Sequence, residues 1–264
     1  MTHVPPGWTA LVLAGQRPGI DPVAAQFGLE AKALVPVAGE VMLGRVLMAL
    51  ADTPEIARII VLAQNAPELL LHPHLAWAAA EPRISARISG ATISGSVLAA
   101  IGDPATGLPV LVTTADNVML TPASVTEFIG GAGASDVSVA LVERARLEAA
   151  VGPNRRTWLT FKDGAFTGAN LFALTAPAAA NALRFWEKVE QDRKSVLRLA
   201  SHFGPVLMIK LLARRMTVHQ ALTAAGAKLG ASAAPVLLSD GRMGVDVDKP
   251  EDHALAERLL AERG

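Results

Sequence analysis

Asp116 ends the run Val110-Leu111-Val112-Thr113-Thr114-Ala115-Asp116-Asn117. Apolar and β-branched residues in such a run make a buried strand, and a carboxylate released at its end can hold a hard divalent cation against phosphate oxygens. A second buried strand, Thr9-Ala10-Leu11-Val12-Leu13, runs into Ala14-Gly15-Gln16-Arg17-Pro18-Gly19. A glycine turn at a strand end exposes backbone N–H groups that cradle phosphate where no side chain intrudes. Lys32 follows, and its ammonium can add a point charge to the same anion. These residues point to phosphate chemistry. The plainer alternatives are a simple strand-to-helix connection at Gly15 and a turn or cap role for Asp116.

The elements that must carry these residues alternate in type. Strand-like runs at 10–13, 59–62, 110–114 and 137–142 are separated by helix-like segments, the signature of a mainly parallel sheet covered by helices. Ligands in such folds bind at the carboxyl ends of the strands. Residues 41–51 read as a first helix and 95–101 as another, and Thr121-Pro122 opens a third with a capping threonine and proline at the first position. Residues 143–168 carry Arg144, Arg146, Arg155, Arg156 and Lys162 among glycines and a proline, and read as strands and loops over the sheet's edge. Residues 178–226 read as helical, broken at Gly204-Pro205, and basic. The chain closes with a strand near 244–247 and a helix over 250–263. Asp248 with Glu251 fits a capping box, with Pro250 in the first turn. Asp246, on the preceding strand, has no capping role and alternates to the same side as Asp248.

Composition narrows the classes. A chain of 264 residues fits one large α/β domain, and no internal boundary stands out. Lysine plus arginine and aspartate plus glutamate are 24 each, so the average surface exerts no pull on nucleic acid or an anionic membrane, and nucleic acid is not an expected partner. The absence of cysteine excludes disulfides, thiolate metal sites and a cysteine nucleophile. Residues 1–7 lack the regions of a signal peptide and no apolar run reaches membrane-spanning length, so a soluble cytoplasmic protein is expected. Residues 203–216 could form an interfacial amphipathic helix flanked by cations, but a buried helix is the commoner explanation of that apolar density. The histidines show no metal-ligand spacing beyond His72-Pro73-His74, where the proline argues for a loop.

Taken in order, Leu13-Ala14-Gly15-Gln16-Arg17, Lys32 with Leu34 and Gly39, Ala115-Asp116, and Asp246-Val247-Asp248-Lys249-Pro250-Glu251-Asp252 resemble the motifs of the MobA-like nucleotidyltransferases. Residues 21–30 lengthen the usual interval before the lysine, and Arg17 is the one arginine available after the turn. The resemblance implies a single domain over 1–264 with a three-layer α/β/α, Rossmann-like fold of the GT-A type, a mainly parallel sheet and a helical acceptor-side insertion at about 143–230. It implies a nucleoside triphosphate held by the 13–17 turn and Lys32. Mg²⁺ would sit on Asp116 and on either Asp246 or Asp248, with Asp246 placed ahead because Asp248 has the capping role. Ser94-Gly95-Ser96 would let the nucleobase lie against the backbone, although Ser94 or Ser96 also suits an ordinary N-cap. Asn170, in Gly168-Ala169-Asn170-Leu171-Phe172, would meet the acceptor. Arg155, Arg156, Arg193 and Lys194 are candidates to grip an acceptor phosphate, against a plain solvated basic face. The expected activity, with Lys32 and Asp116 as its catalytic residues, is Mg²⁺-dependent transfer of a nucleoside monophosphate from CTP or GTP to a phosphorylated small molecule, releasing pyrophosphate. A GT-A glycosyltransferase and a non-catalytic nucleotide-binding module are the alternatives, and the oligomeric state is open.

Overall fold

The computed structural model describes residues 7–16, 19–153, 156–191 and 204–262. The chain runs β1 (Trp8–Leu13), α1 (Pro22–Gln26), a 3-10 turn (Lys32–Leu34), the hairpin β2 (Pro36–Val37) and β3 (Glu40–Val41), α2 (Met42–Ala51) and β4 (Ile56–Ala63). Next come α3 (Ala66–Leu70), α4 (Ala76–Ala80), β5 (Ile84–Ile88), α5 (Ile93–Ile101), β6 (Val110–Thr114), α6 (Pro122–Ala132), β7 (Val137–Glu143) and α7 (Arg144–Val151). The remainder is β8 (Leu159–Phe161), β9 (Gly164–Leu174), α8 (Ala179–Gln191), α9 (Pro205–Leu212), α10 (Val218–Leu229), β10 (Ala233–Leu237) and α11 (Pro250–Ala261).

Alternation along β1 creates the layers. Ala10 and Val12 point to one face of the sheet and pack with Ile59, Val61 and Leu111 beneath Leu43 and Leu47 of α2 and Phe128 of α6. Leu11 points to the other, where Ile60, Leu62, Val110 and Val112 meet Val97 and Ala100 of α5 and Ala179 of α8. A strand buried on both faces leaves little place for polar residues, which is why β1 reads as an apolar run apart from Thr9, whose buried hydroxyl donates to Thr106 O at 2.7 Å. Leu11 is fully buried, so truncating it to alanine is expected to cost about 2–5 kcal/mol.

The strand order is β10-β7-β9-β6-β1-β4-β5, with β8 paired to β9. β9 is antiparallel to β6 and β7, and the other neighbours on that path are parallel. After β1 the chain builds outward through β4 and β5, then returns to place β6 on the other flank of β1. In open sheets of this kind such a reversal is where ligands bind, here beyond the carboxyl ends of β1 and β6.

The three-layer α/β reading holds, and four details differ from it. Residues 143–168 do hold strands, with β8 paired, among the described residues, only to β9, but α7 occupies Arg144–Val151 and β9 threads the sheet between β6 and β7 instead of lying at its edge. The closing strand expected near 244–247 is a 3-10 turn (Gly241–Gly244) followed by irregular chain, whose Val245 and Val247 are buried against Val23, Val37, Met119 and Leu259 instead of pairing in the sheet. Asp248 is not the cap of α11. Pro250 is the first helical residue, so Lys249 is the N-cap, and the Asp252 carboxylate accepts from the Lys249 and Asp248 N–H groups at 3.0 and 3.3 Å. In the helix expected from 203–216, of which residue 203 lies outside the described residues, Ile209 and Leu212 are exposed, not buried. Among the described residues no helix is long and apolar enough to cross a membrane.

Candidate active site

The lengthened stretch before Lys32 is folded. Asp21 caps α1 by accepting from the Val23 and Ala24 N–H groups at 2.9 and 3.1 Å, with Pro22 at the first helical position. Val23 and Ala24 then join Val35, Val37 and Met42 in a small core shared with Leu259 and Leu260 of α11. The β2–β3 turn takes positive φ at both Ala38 and Gly39, the geometry of a primed hairpin turn. Glu257 of α11 accepts from its Ala38 N–H at 2.8 Å, and the His253 ring nitrogen donates to Pro36 O at 2.8 Å. This clasp fixes the 3-10 turn that carries Lys32 against the end of β6.

Lys32 Nζ lies 2.6 Å from Asp116 Oδ2 and 3.1 Å from Asp248 Oδ1. The second Asp116 oxygen accepts from Thr114 Oγ1 at 2.5 Å. The closing segment is held in place by the Val247 N–H, which donates to Asp116 O at 3.2 Å. Lys32 and Asp116 are largely buried, whereas Asp248 is 65% exposed. Burial alone would favour a neutral lysine, but Asp116, and then Asp248, more than offset it and raise the Lys32 pKa above 10.5. The ammonium therefore stays charged at neutral pH.

Asp246, two residues before Asp248, serves a different cluster. One of its oxygens accepts from Arg156 Nη1 at 2.7 Å and the other from Asn170 Nδ2 at 3.0 Å, and Arg156 also lies 3.6 Å from Asp252. Asn170 is positioned by a bulge. Between the pairs Leu141↔Gly168 and Val139↔Phe172 the register shifts, and Asn170 takes a φ of 50°. Asparagine tolerates this left-handed conformation better than most residues, and a bulge re-aims its side chain. Asn117 braces the same bulge from β6's end, donating to Ala169 O at 3.0 Å and Thr113 Oγ1 at 3.2 Å while its own Oδ1 is buried without a partner.

At the glycine turn, Ala14 N–H donates to Leu62 O at 2.9 Å, and the Gln64 amide closes a paired contact with Gln16, accepting from its N–H at 3.1 Å and donating to its carbonyl at 3.0 Å. Among the described residues the Gly15 N–H has no partner, and Gly15 is exposed. Within residues 14–16 the Gly15 N–H is thus the one open donor.

A family model described as the MobA-like NTP transferase domain matches residues 10–225, from β1 into α10. The chain belongs to the MobA-like NTP transferase family. The matched span holds Lys32, Asp116, Arg156 and Asn170, and ends before Asp246 and Asp248. No curated protein matches the chain. A hypothetical transferase from Thermus thermophilus is 28% identical with a TM-score of 0.77, over 94% of this chain and 99% of that one. A 4-diphosphocytidyl-2C-methyl-D-erythritol synthase from Anaerococcus prevotii is 12% identical with a TM-score of 0.58, over 97% and 96%. A CMP:2-keto-3-deoxy-manno-octonic acid synthetase complexed with CTP is 15% identical with a TM-score of 0.56, over 98% and 100%. The last two likenesses concern the fold alone.

In this MobA-like chain the sequence-predicted residues divide into groups. Lys32, Asp116 and Asp248 meet, and Arg156, Asn170 and Asp246 meet beside them. Arg17, Arg155, Arg193 and Lys194 lie outside the described residues. Neither Ser94 nor Ser96 is the cap of α5: Thr92 is, accepting from Gly95 N–H at 3.0 Å. Ser94 and Ser96 are buried, and Ser96 Oγ holds the preceding loop by accepting from Gly90 N–H and donating to Thr92 O. Gly95 faces α8, where an added Cβ would lie 2.8 Å from Glu187 Oε1. The sequence reading missed Thr114, Gln64 and Asp252. Only Asp252 had a usable signal, since Pro250 at the first helical position makes residue 252 the third.

Proposed function

We propose that this chain is a Mg²⁺-dependent nucleotidyltransferase that moves a nucleoside monophosphate from CTP or GTP to a phosphorylated small-molecule acceptor. The observation that carries the reading is the convergence of Lys32, Asp116 and Asp248 at the carboxyl end of β6, beside the open Gly15 N–H. An acceptor phosphate oxygen would attack the nucleotide's α-phosphorus, forming a new P–O bond. The bond between the α-phosphorus and its bridge oxygen to the β-phosphate would break, and pyrophosphate would leave with both electrons. Lys32 and the Gly15 N–H would hold the departing phosphates in line. Arg156 and Asn170, which donate to Asp246 here, would meet the acceptor. Catalysis of this kind is positioning and charge neutralisation, without a covalent enzyme intermediate.

The carboxylates fit magnesium. Among the described residues no three His, Asp or Glu side chains form a ready-made metal cluster, but Mg²⁺ is ordinarily held by one or two carboxylates plus substrate phosphates. Asp116 and Asp248 supply that pair because both reach Lys32, and Asp246, held by Arg156 and Asn170 in the neighbouring cluster, is the weaker candidate. When bound, the ion supplies charge neutralisation on the phosphates. CTP is placed first because CTP accompanies one like-folded structure and another is named for a diphosphocytidyl product.

The test is a matrix of the four nucleoside triphosphates against phosphorylated sugars, polyols and lipid precursors with Mg²⁺, scored for pyrophosphate. Acceptor-dependent pyrophosphate from CTP or GTP is expected. Release only of a free nucleoside diphosphate from a sugar nucleotide would instead establish a glycosyltransferase, and no turnover with any pair would leave a binding module.

A further inference from the structure

Lys32 stands where a divalent cation would have to reach the two carboxylates. Its ammonium is 2.6 Å from Asp116 Oδ2 and 3.1 Å from Asp248 Oδ1, so it is their shared counter-ion. We infer that Lys32 is an internal competitor of the metal, and that metal and nucleotide load together because only the nucleotide's phosphates give Lys32 another anion to bind. The inference rests on the nucleotidyl-transfer reading.

The charges make the argument. Two carboxylates and one ammonium leave the cluster at minus one. A divalent ion arriving with Lys32 in place would put two cations in contact in a largely buried site, where their repulsion is poorly screened. Lys32 would have to leave, and among the described residues Asp116 and Asp248 are the carboxylates that hold it, so without a phosphate it would leave both for water. A bound triphosphate changes this balance. Lys32 exchanges carboxylate oxygens for phosphate oxygens on its flexible four-carbon stem, and Asp116 and Asp248 are freed at the same moment. Nothing else need move far: Thr114 and the Val247 N–H hold Asp116 in place, and Asp248 is mostly exposed. Lys32 thereby guards the site against metal binding without substrate.

The experiment titrates Mn²⁺, read by electron paramagnetic resonance, into the full chain without nucleotide. Lys32→Gln keeps a hydrogen-bond donor but removes the charge, and is expected to bind Mn²⁺ on the order of tenfold or more tighter than wild type. Its melting temperature should rise with Mn²⁺ while that of the wild type stays put. Equal or weaker Mn²⁺ binding by folded Lys32→Gln would overturn the inference, and the nucleotidyl-transfer reading would survive if wild type binds Mn²⁺ alongside CTP or GTP. Failure of every form to bind Mn²⁺ even with nucleotide would bring down both. A second measurement needs no variant at the site. With lysines dimethylated by a ¹³C label, which keeps their charge, the Lys32 resonance should shift when Mg²⁺ and CTP or GTP are added together and not with Mg²⁺ alone. An equal shift with Mg²⁺ alone would contradict the competition.

Discussion

Asp246 and Asp248 stand two residues apart on the same irregular segment, yet they belong to different parts of the molecule. Asp248 is mostly exposed and shares one cation, Lys32, with Asp116. Asp246 is largely buried and spends both oxygens on Arg156 and Asn170, tying the bulged β9 to the closing segment. The lesson is that two carboxylates two residues apart in one motif can serve different clusters, according to which cations reach them. Asp246 is tied into the Arg156–Asn170 cluster, whereas Asp248 is exposed and its one side-chain partner among the described residues is Lys32.

Removing the charge at the centre should have the largest effect. Asp116→Asn keeps the shape and is expected to lower pyrophosphate release by a hundredfold or more with the fold intact, as judged by circular dichroism. Near-normal turnover would remove Asp116 from the reacting centre and erase the contrast between the two clusters.

On the scaffold side, Arg156→Gln should lower kcat/KM for the acceptor about tenfold and leave nucleotide binding almost unchanged, because a charge-assisted phosphate contact contributes about 1.5–3 kcal/mol. Equal losses for both substrates would merge the two clusters into one site. A double-mutant cycle between Arg156→Gln and Asp246→Asn, followed by denaturant unfolding, should show a coupling of about 1–2 kcal/mol. Additive effects would mean that the 2.7 Å contact contributes nothing to stability.

The smallest change concerns the helix behind both aspartates. Asp252→Ala removes the acceptor of the Lys249 N–H and should cost about 1 kcal/mol in stability with little loss of rate. A large rate loss would show that the cap of α11 steers Asp248 directly.

How much of this was legible in the sequence follows from which forces act locally. β1, β4, β6 and β7 were readable because strands buried on both faces leave apolar runs. β5 (Ile-Ser-Ala-Arg-Ile) and β10 (Ala-Ala-Pro-Val-Leu) were not, since edge strands tolerate polar residues and proline. Val245 and Val247 alternate as a strand would, but they are buried by α1 and α11, a tertiary packing that mimics a local period. Lys32, Asp116 and Asp248 were all named, yet the capping role assigned to Asp248 hid its contact with Lys32. The proline rule that correctly opened α6 at Thr121-Pro122 also places the α11 cap at Lys249. The same signal, Asp21-Pro22, went unread in the lengthened loop, where it opens α1. The partners of Asp246 were beyond local reading, because Arg156 and Asn170 lie 90 and 76 residues away in sequence.

The most direct test of the division between the two aspartates compares Asp246→Asn and Asp248→Asn for initial rate of pyrophosphate release and for melting temperature. Asp248→Asn should melt like wild type and turn over at least tenfold more slowly, as expected for a lost ligand of the reacting centre. Asp246→Asn should be less stable by about 1–3 kcal/mol, because the largely buried Arg156 loses its nearest charged partner, and its rate at low temperature should fall less than that of Asp248→Asn. The opposite pattern, a stable but slow Asp246→Asn beside a fast but unstable Asp248→Asn, would contradict the account.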